Sequence, residues 1–315
     1  MKKSIRHKMN AETRRYHRKQ FITRTVISVL RALFLIGICF TVIYPMLSHV
    51  FASFMPARDF YNSNIKYLPS SLVLDNYKKA WELLNYGSTV LNSVVLCLLS
   101  SVSQIIVCTM VGYGFARFQF RGKNILFMLL ILGLVVPPDL LLIQRMFQFK
   151  FFDLFGIFKL TRGVPLDLLN TVWPFVMLGL TCSGLKNGLY VFIMRQYFMG
   201  LPKEIEEAAY VDGAGPIKTY VRVILPGAVT NIVTIFLFSV VWQWNDTVYT
   251  PVFYTEKNVI TTMIKMLPTG TISMSSVNSL TTNAGIVLIV LPMLILYAFL
   301  QNYFVKGVER SGLVG

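Results

Sequence analysis

The chain has 315 residues, of which 55% are hydrophobic and only 14% charged, and its mean hydropathy is +0.59. A soluble domain carries roughly 25% charged and about 45–50% apolar residues, so the composition excludes a water-soluble globular protein and points to a chain lying in a bilayer. The formal net charge of +16 is then explained by membrane topology, and nucleic acid is not expected as a partner.

Residues 1–25 read as a basic cytoplasmic tail, and residues 26–315 as one transmembrane domain. Ten of the 30 Lys and Arg residues lie in the stretch up to Arg31, against one acid, Glu12. The run RRYHRK directly precedes an apolar segment, where polybasic sequence fixes orientation and attracts anionic lipid. A cleaved leader is not expected: the charged region is long, the apolar run exceeds the usual 7–15 residues, and no A-x-A-like site follows.

About 20 apolar residues cross the hydrocarbon core, and six segments approach that length: 26–51, 83–116, 124–144, 170–194, 223–245 and 284–305. The expected fold is an all-α bundle of six transmembrane helices with both termini in the cytoplasm. Pro137, Pro138 and Asp139 weaken the third segment, and Pro174 and Lys186 the fourth. Such residues fit where neighbouring protein or water satisfies the freed carbonyls, as in a bundle around a pathway. With the tail inside, 19 Lys and Arg residues lie on the cytoplasmic side and ten outside. Without the tail the balance is nine to ten, so the tail alone sets the orientation.

Enzymatic and metal motifs are missing. There is no G-x-x-x-x-G-K-[ST] loop to cradle phosphates, no G-x-S-x-G and no HExxH. No catalytic, cofactor-binding or metal-binding residue is expected in this chain. Cys39, Cys97, Cys108 and Cys182 fall within apolar segments without ligand spacing and read as packing residues. His49 reads as structural. Buried acids suited to proton relay are sparse, since Asp139 and Asp246 lie toward the outer ends of their segments, which disfavours a proton-driven carrier.

One polar block interrupts the apolar pattern: EEAAYVDGAGPIKTYVRVILP, residues 206–226. Ile205, Ala208, Ala209 and Asp212 share one face of a short helix. Glu204 and Glu206 project elsewhere and favour its N-terminal end. Gly213 supplies the left-handed stop, and Pro216 restarts the chain at the first helical position. Ile217, Tyr220, Val221 and Ile224 form the next apolar face, with Lys218 and Arg222 pointing away. Two short helices within 202–222 are expected, the second continuous with the fifth span. From periodicity alone they serve equally as an amphipathic surface loop or as a docking lever.

The spacing resembles the EAA signature of ABC-importer permeases, which reads E-A-A, three residues, G, nine residues, I-x-L-P. Glu207, Ala208, Ala209, Gly213, Leu225 and Pro226 match it, and Val223 replaces the isoleucine. Further segments resemble the carbohydrate-importer branch, the second permease of maltose-type systems: LPSSLVLDNYKKAW (68–81), GYGFARFQFRGK (112–123), VVPPDLLLIQ (135–144), WNDTVYTPV (244–252) and NYFVKGVERSGLVG (302–315). Lys186 departs from the usually uncharged pattern.

The resemblance implies a MetI-like permease of a binding-protein-dependent importer in the bacterial cytoplasmic membrane, carrying a sugar, in particular an oligosaccharide. It implies an ATPase-coupling element at Glu207, Ala208, Ala209, Asp212, Gly213, Leu225 and Pro226. The implied partners are a second homologous permease, two ATP-binding subunits that hold ATP and Mg, an extracellular or periplasmic solute-binding protein, the sugar, and membrane lipid. The external loop 247–282 is the implied face for the binding protein. Trp242, Trp244, Asn245 and Asp246 are candidate pathway residues, because indole rings match the C–H faces of pyranoses; the same tryptophans serve as interfacial anchors. A glycerol-phosphate-like or other polyol cargo, or a membrane scaffold without transport, are the alternative readings.

Overall fold

A computed structural model describes residues 2–60, 62, 68–268 and 276–312, with side chains placed over 20–59, 62, 68–268 and 279–303. The side chains of the basic residues before position 20, the external-loop residues 269–275, and the side chains of the C-terminal segment beyond 303 lie outside the described residues. The chain is helical, and among the described residues extended pairing is confined to one bridge between Phe152 and Leu166.

Helix α1, Lys2–Ser53, carries the first expected span. Its stretch Gln20–Ser53 has 34 residues, about 50 Å at 1.5 Å per residue, which exceeds the ~30 Å hydrocarbon core. Its side chains from Gln20 to Leu47 are exposed, including Cys39, so among the described residues that cysteine is not part of the packed core. The helix is tied down at its C-terminal end. His49 Nδ1 lies 2.7 Å from Asn283 Oδ1, and the buried Asn76 amide donates to the carbonyls of Ser53 and Met55, each at 2.9 Å. Asn76 belongs to α2, Asp75–Leu83.

The centre of the molecule is α3, Tyr86–Arg117, 32 residues long. Its buried side is lined by small and polar residues, among them Ser93, Ser100, Ser101, Ser103, Thr109 and Gly112. Small side chains let helix backbones approach in an apolar environment. At Gly112 an added Cβ would lie 2.7 Å from the Met194 Cβ. Polar groups buried here are bonded across helices: Ser239 Oγ donates to Gln104 Oε1 at 2.7 Å, and Ser100 Oγ to Gln243 Oε1 at 3.0 Å. Cys97 and Cys108 are buried on this helix.

The third and fourth expected spans are not single helices. The third is divided into α4, Lys123–Leu132, a 3₁₀ turn Pro138–Leu141, and α5, Leu142–Lys150. Helix α4 closes at Gly133, and Pro137 and Pro138, which have no N–H to donate to the preceding turn, keep the chain from resuming it. The fourth is divided into α6, Trp173–Leu180, and α7, Asn187–Met199. Between them Cys182 and Lys186 adopt left-handed backbone, φ +57° and +60°. Each break carries the residues that weaken its segment, Pro137, Pro138 and Asp139 in the third and Lys186 in the fourth, but the apolar residues on both sides make each pair of helices count as one segment.

After α7 come the short helix α8, Glu204–Val211, then α9, Pro216–Thr219, which continues through a π-helical turn Tyr220–Ile224 into Leu225–Gly227. Helix α10 is Val229–Trp244, and α11 is Ser276–Gly312. By length and apolarity, Gln20–Ser53, Tyr86–Arg117 and Ser279–Tyr303 can each cross a membrane. A fourth crossing results if Pro216–Gly227 and Val229–Trp244 are taken together.

Candidate functional site: the hinge at residues 204–228

Three acids, Glu204, Glu206 and Glu207, occupy the first turn of α8, where they complement the positive end of the helix dipole. The helix stops as its pattern requires. Gly213 has φ +76°, and the Ala214 amide donates back to the Ala209 carbonyl at 3.0 Å. Gly215 is extended and Pro216 opens α9. Two short helices therefore form within the expected stretch, although the first begins at Glu204 rather than Pro202.

The faces differ from those expected from apolar spacing. Glu206 and Ala209 are the buried residues of α8, while Ile205, Ala208 and Asp212 are exposed. Glu206 does not project into water: its Oε1 lies 2.7 Å from Arg117 Nε, with side chains 10% and 8% exposed respectively. Arg117 Nη2 also donates to the Leu201 carbonyl at 2.9 Å. One guanidinium at the end of α3 thus holds both the start of the hinge and its first helix. In α9, Thr219 and Ile224 are buried and Tyr220 half-buried, but Ile217 is 80% exposed and Val221 is exposed.

The outward surface consists of Glu207, Ala208, Val211 (87% exposed), Asp212 and Gly213 from the first helix and its stop. A shallow open concavity adjoins it, lined by Gly215, Pro216, Ile217, Lys218, Val221 and Arg222. Of the seven expected coupling residues, Glu207, Ala208, Asp212 and Gly213 are on this surface. Ala209 faces inward, Leu225 is half-buried and Pro226 is exposed at the far end of α9.

The second helix is not collinear with the span that follows. Pro216–Gly227 and Val229–Trp244 meet at 78°. Pro226 has no N–H for the Arg222 carbonyl, and the Leu225 amide instead bonds the Tyr220 carbonyl in the π-helical turn; proline and π-bulges are ordinary causes of such bends. The bend is packed, since Ala228 is fully buried. Beneath it Tyr113, Phe198 and Ile224 share a core cluster with Tyr190, Met194 and Ile235, and the Tyr113 ring lies 4.9 Å from that of Tyr220.

The four candidate pathway residues do not form one surface. Trp242 is 44% exposed, whereas Trp244 is 5% exposed in a core cluster with Tyr86, Ile260 and Leu288. The Asn245 amide bonds the Val241 carbonyl at 2.8 Å. Asp246 is buried and accepts from the amides of Val248, Tyr249 and Thr250 and from the Thr250 hydroxyl, at 2.7–3.0 Å. That geometry caps the turn Thr250–Phe253. Lys186, at the helix break, reaches Trp242, with Nζ 4.7 Å from the ring centroid. Burial raises the Tyr249 phenol above its ordinary range, against the lowering pull of Arg145.

Sequence reading missed Arg117 and the inward role of Glu206. The available signal was that Arg117 is the first charge after 34 uncharged residues, and that the acid pair Glu206-Glu207 must place its two members on different faces of a helix.

The described residues form a helical protein with at least three apolar helices long enough to cross a membrane and one packed polar hinge at the end of its central helix. Residues 109–310 match the model of the family described as binding-protein-dependent transport system inner membrane component, and the chain belongs to that family. It is 29% identical over 305 residues to the probable ABC transporter permease protein YurM of Bacillus subtilis, covering 95% of this chain and 91% of that protein. It is 27% identical to the arabinooligosaccharides transport system permease protein AraQ of Halalkalibacterium halodurans, covering 93% and 99%. Among solved structures, a bacterial ABC transporter involved in the import of the acidic polysaccharide alginate superposes with a TM-score of 0.68. The likeness covers 89% of this chain and 96% of that one at 18% identity, and shows a shared fold. The protein is therefore a permease of the inner membrane.

Proposed function

We propose that this permease imports a sugar, in particular an oligosaccharide, in complex with a second EAA-bearing permease, and that two separate ATPase subunits dock on its hinge. The observation that carries the reading is the two-sided character of α8. Glu207, Ala208 and Gly213 are exposed, while Glu206 on the opposite face is clamped by Arg117. Small outward side chains admit another surface close to the helix backbone, and the inward ion pair makes α8 resist sliding over the bundle. The relatedness to AraQ supports the saccharide cargo.

In this reading the chain crosses the membrane six times with both termini in the cytoplasm, the divided segments at 124–144 and 170–194 crossing as helix pairs. ATP-driven closure of the partner subunits moves α8. Because α9 meets α10 at 78°, displacement of α8 passes first to α3 through Arg117 and only then around the bend to α10. A loaded solute-binding protein delivers the sugar from outside.

Co-purification from native membranes tests the assembly. The expected companions are a second EAA-bearing permease and an ATPase with a phosphate-binding loop. Recovery of a stable homodimer lacking an ATPase would favour the scaffold alternative.

A further inference from the structure

Two cations converge on the break between α6 and α7. Lys186 sits at the N-terminal end of α7 with its ammonium 4.7 Å from the Trp242 ring centroid. Arg145, from α5, donates Nη1 to the Ser183 carbonyl at 2.8 Å, and its guanidinium carbon lies 5.1 Å from the Tyr249 ring centroid. Trp242 belongs to the last turn of α10 and Tyr249 to the segment that follows it. Among the described residues neither cation has a carboxylate within ion-pairing distance. Of the nearby acids, Asp246 is committed to four donors, and Asp139 is exposed on the turn before α5.

Depth makes this arrangement informative. Helix α7 has 13 residues, a rise of about 20 Å, and its far end, at Phe198, packs into the cluster under the hinge. Lys186 is therefore about 20 Å from the cytoplasmic end of a hydrocarbon layer ~30 Å thick. A charge at that depth is costly against lipid and is found facing protein or a water-filled cavity, where it marks a substrate path. The half-buried Lys186 and the exposed part of Trp242 present an ammonium beside a flat apolar ring, which matches a pyranose bearing an acidic substituent. The planar fork of Arg145 adds a second point suited to carboxylate or phosphate oxygens.

We infer that Lys186, Arg145 and Trp242 form a pathway site for an anionic saccharide, with Trp242 stacking on the ring and the two cations holding its acidic groups. The inference rests on the sugar-import reading and narrows it to acidic cargo.

The test uses the intact transporter in lipid nanodiscs and measures binding of three probes: a linear galacturonate trisaccharide, glucose 6-phosphate and neutral galactotriose. Binding of at least one anion, weakened by salt, is expected. Lys186→Met should lower that affinity at least tenfold and Lys186→Arg should preserve it, with galactotriose unaffected by either change. Which anion binds identifies the charged group that is read. If galactotriose alone binds, or if Lys186→Met leaves anion affinity unchanged, the acidic site is overturned while sugar import stands. If no probe binds, the acidic site is overturned, and the import reading is judged separately by its co-purifying permease and ATPase.

Discussion

Arg117 and Glu206 stand 89 residues apart in sequence, and their charged groups meet at 2.7 Å in a nearly dry site. Removing one member of such a pair strands the other's charge, which costs about 3–5 kcal/mol, whereas replacing both with apolar groups is often near neutral. Arg117→Met should therefore destabilise the detergent-solubilised protein by about 3 kcal/mol, and the double variant Arg117→Met with Glu206→Met should recover most of that loss. A thermal-unfolding double-mutant cycle reads the coupling directly. Additive losses would show that the pair does not hold the hinge.

Gly213 tests the hinge angle separately from its docking surface. Its φ of +76° disfavours any L side chain, yet a Cβ there would meet no atom within 4 Å. Gly213→Ala should cost about 1 kcal/mol through backbone strain alone, and Gly213→Asn less, since asparagine tolerates the left-handed region. Unfolding midpoints of the two variants give the comparison.

Gly112 sets how closely α3 approaches α7. The nearest atom to an added Cβ is the Met194 Cβ, at 2.7 Å, with the Arg195 amide nitrogen at 3.1 Å. Neither is the movable end of a side chain, so Gly112→Ala should lose about 1–3 kcal/mol by overpacking. Gly114, on the same helix, meets only the Phe118 ring edge at 3.9 Å, and its alanine variant should unfold close to wild type.

Asp246 separates a capping role from substrate contact. Its four accepted hydrogen bonds predict that Asp246→Ala lowers stability by about 3 kcal/mol through release of the turn at Thr250–Phe253. A variant of wild-type stability with weakened sugar binding would return Asp246 to the pathway.

Much of the hinge was legible because its determinants are local. Gly213 and Pro216 mark a stop and a restart wherever they fall in a helical pattern, and the structure places both as expected. The inward face was not legible, because Glu206 is buried only in the presence of Arg117, a partner that periodicity within α8 does not contain. Apolar counting found α1, α3 and α11 but joined α6 to α7, since the left-handed turns fall on Cys182 and Lys186 and not on the neighbouring Gly184. The same limit applies to Trp242 and Trp244. Two residues apart near a helix end, they differ in exposure because α2, α3 and α11 cover one and not the other.

In the proposed assembly the exposed face of α8 receives an ATPase subunit while its buried face is fixed to α3. Ala208 belongs to the first face and Ala209 to the second, so Ala208→Glu is the most direct probe. The ratio of substrate transported to ATP hydrolysed should be measured for the intact complex carrying Ala208→Glu, with Ala208→Ser as the conservative control. Normal insertion and unchanged unfolding are expected for both variants. At least a tenfold loss of coupled transport, with weakened retention of the ATPase, is expected for the glutamate alone. Normal coupling in Ala208→Glu would contradict docking of the ATPase on this face.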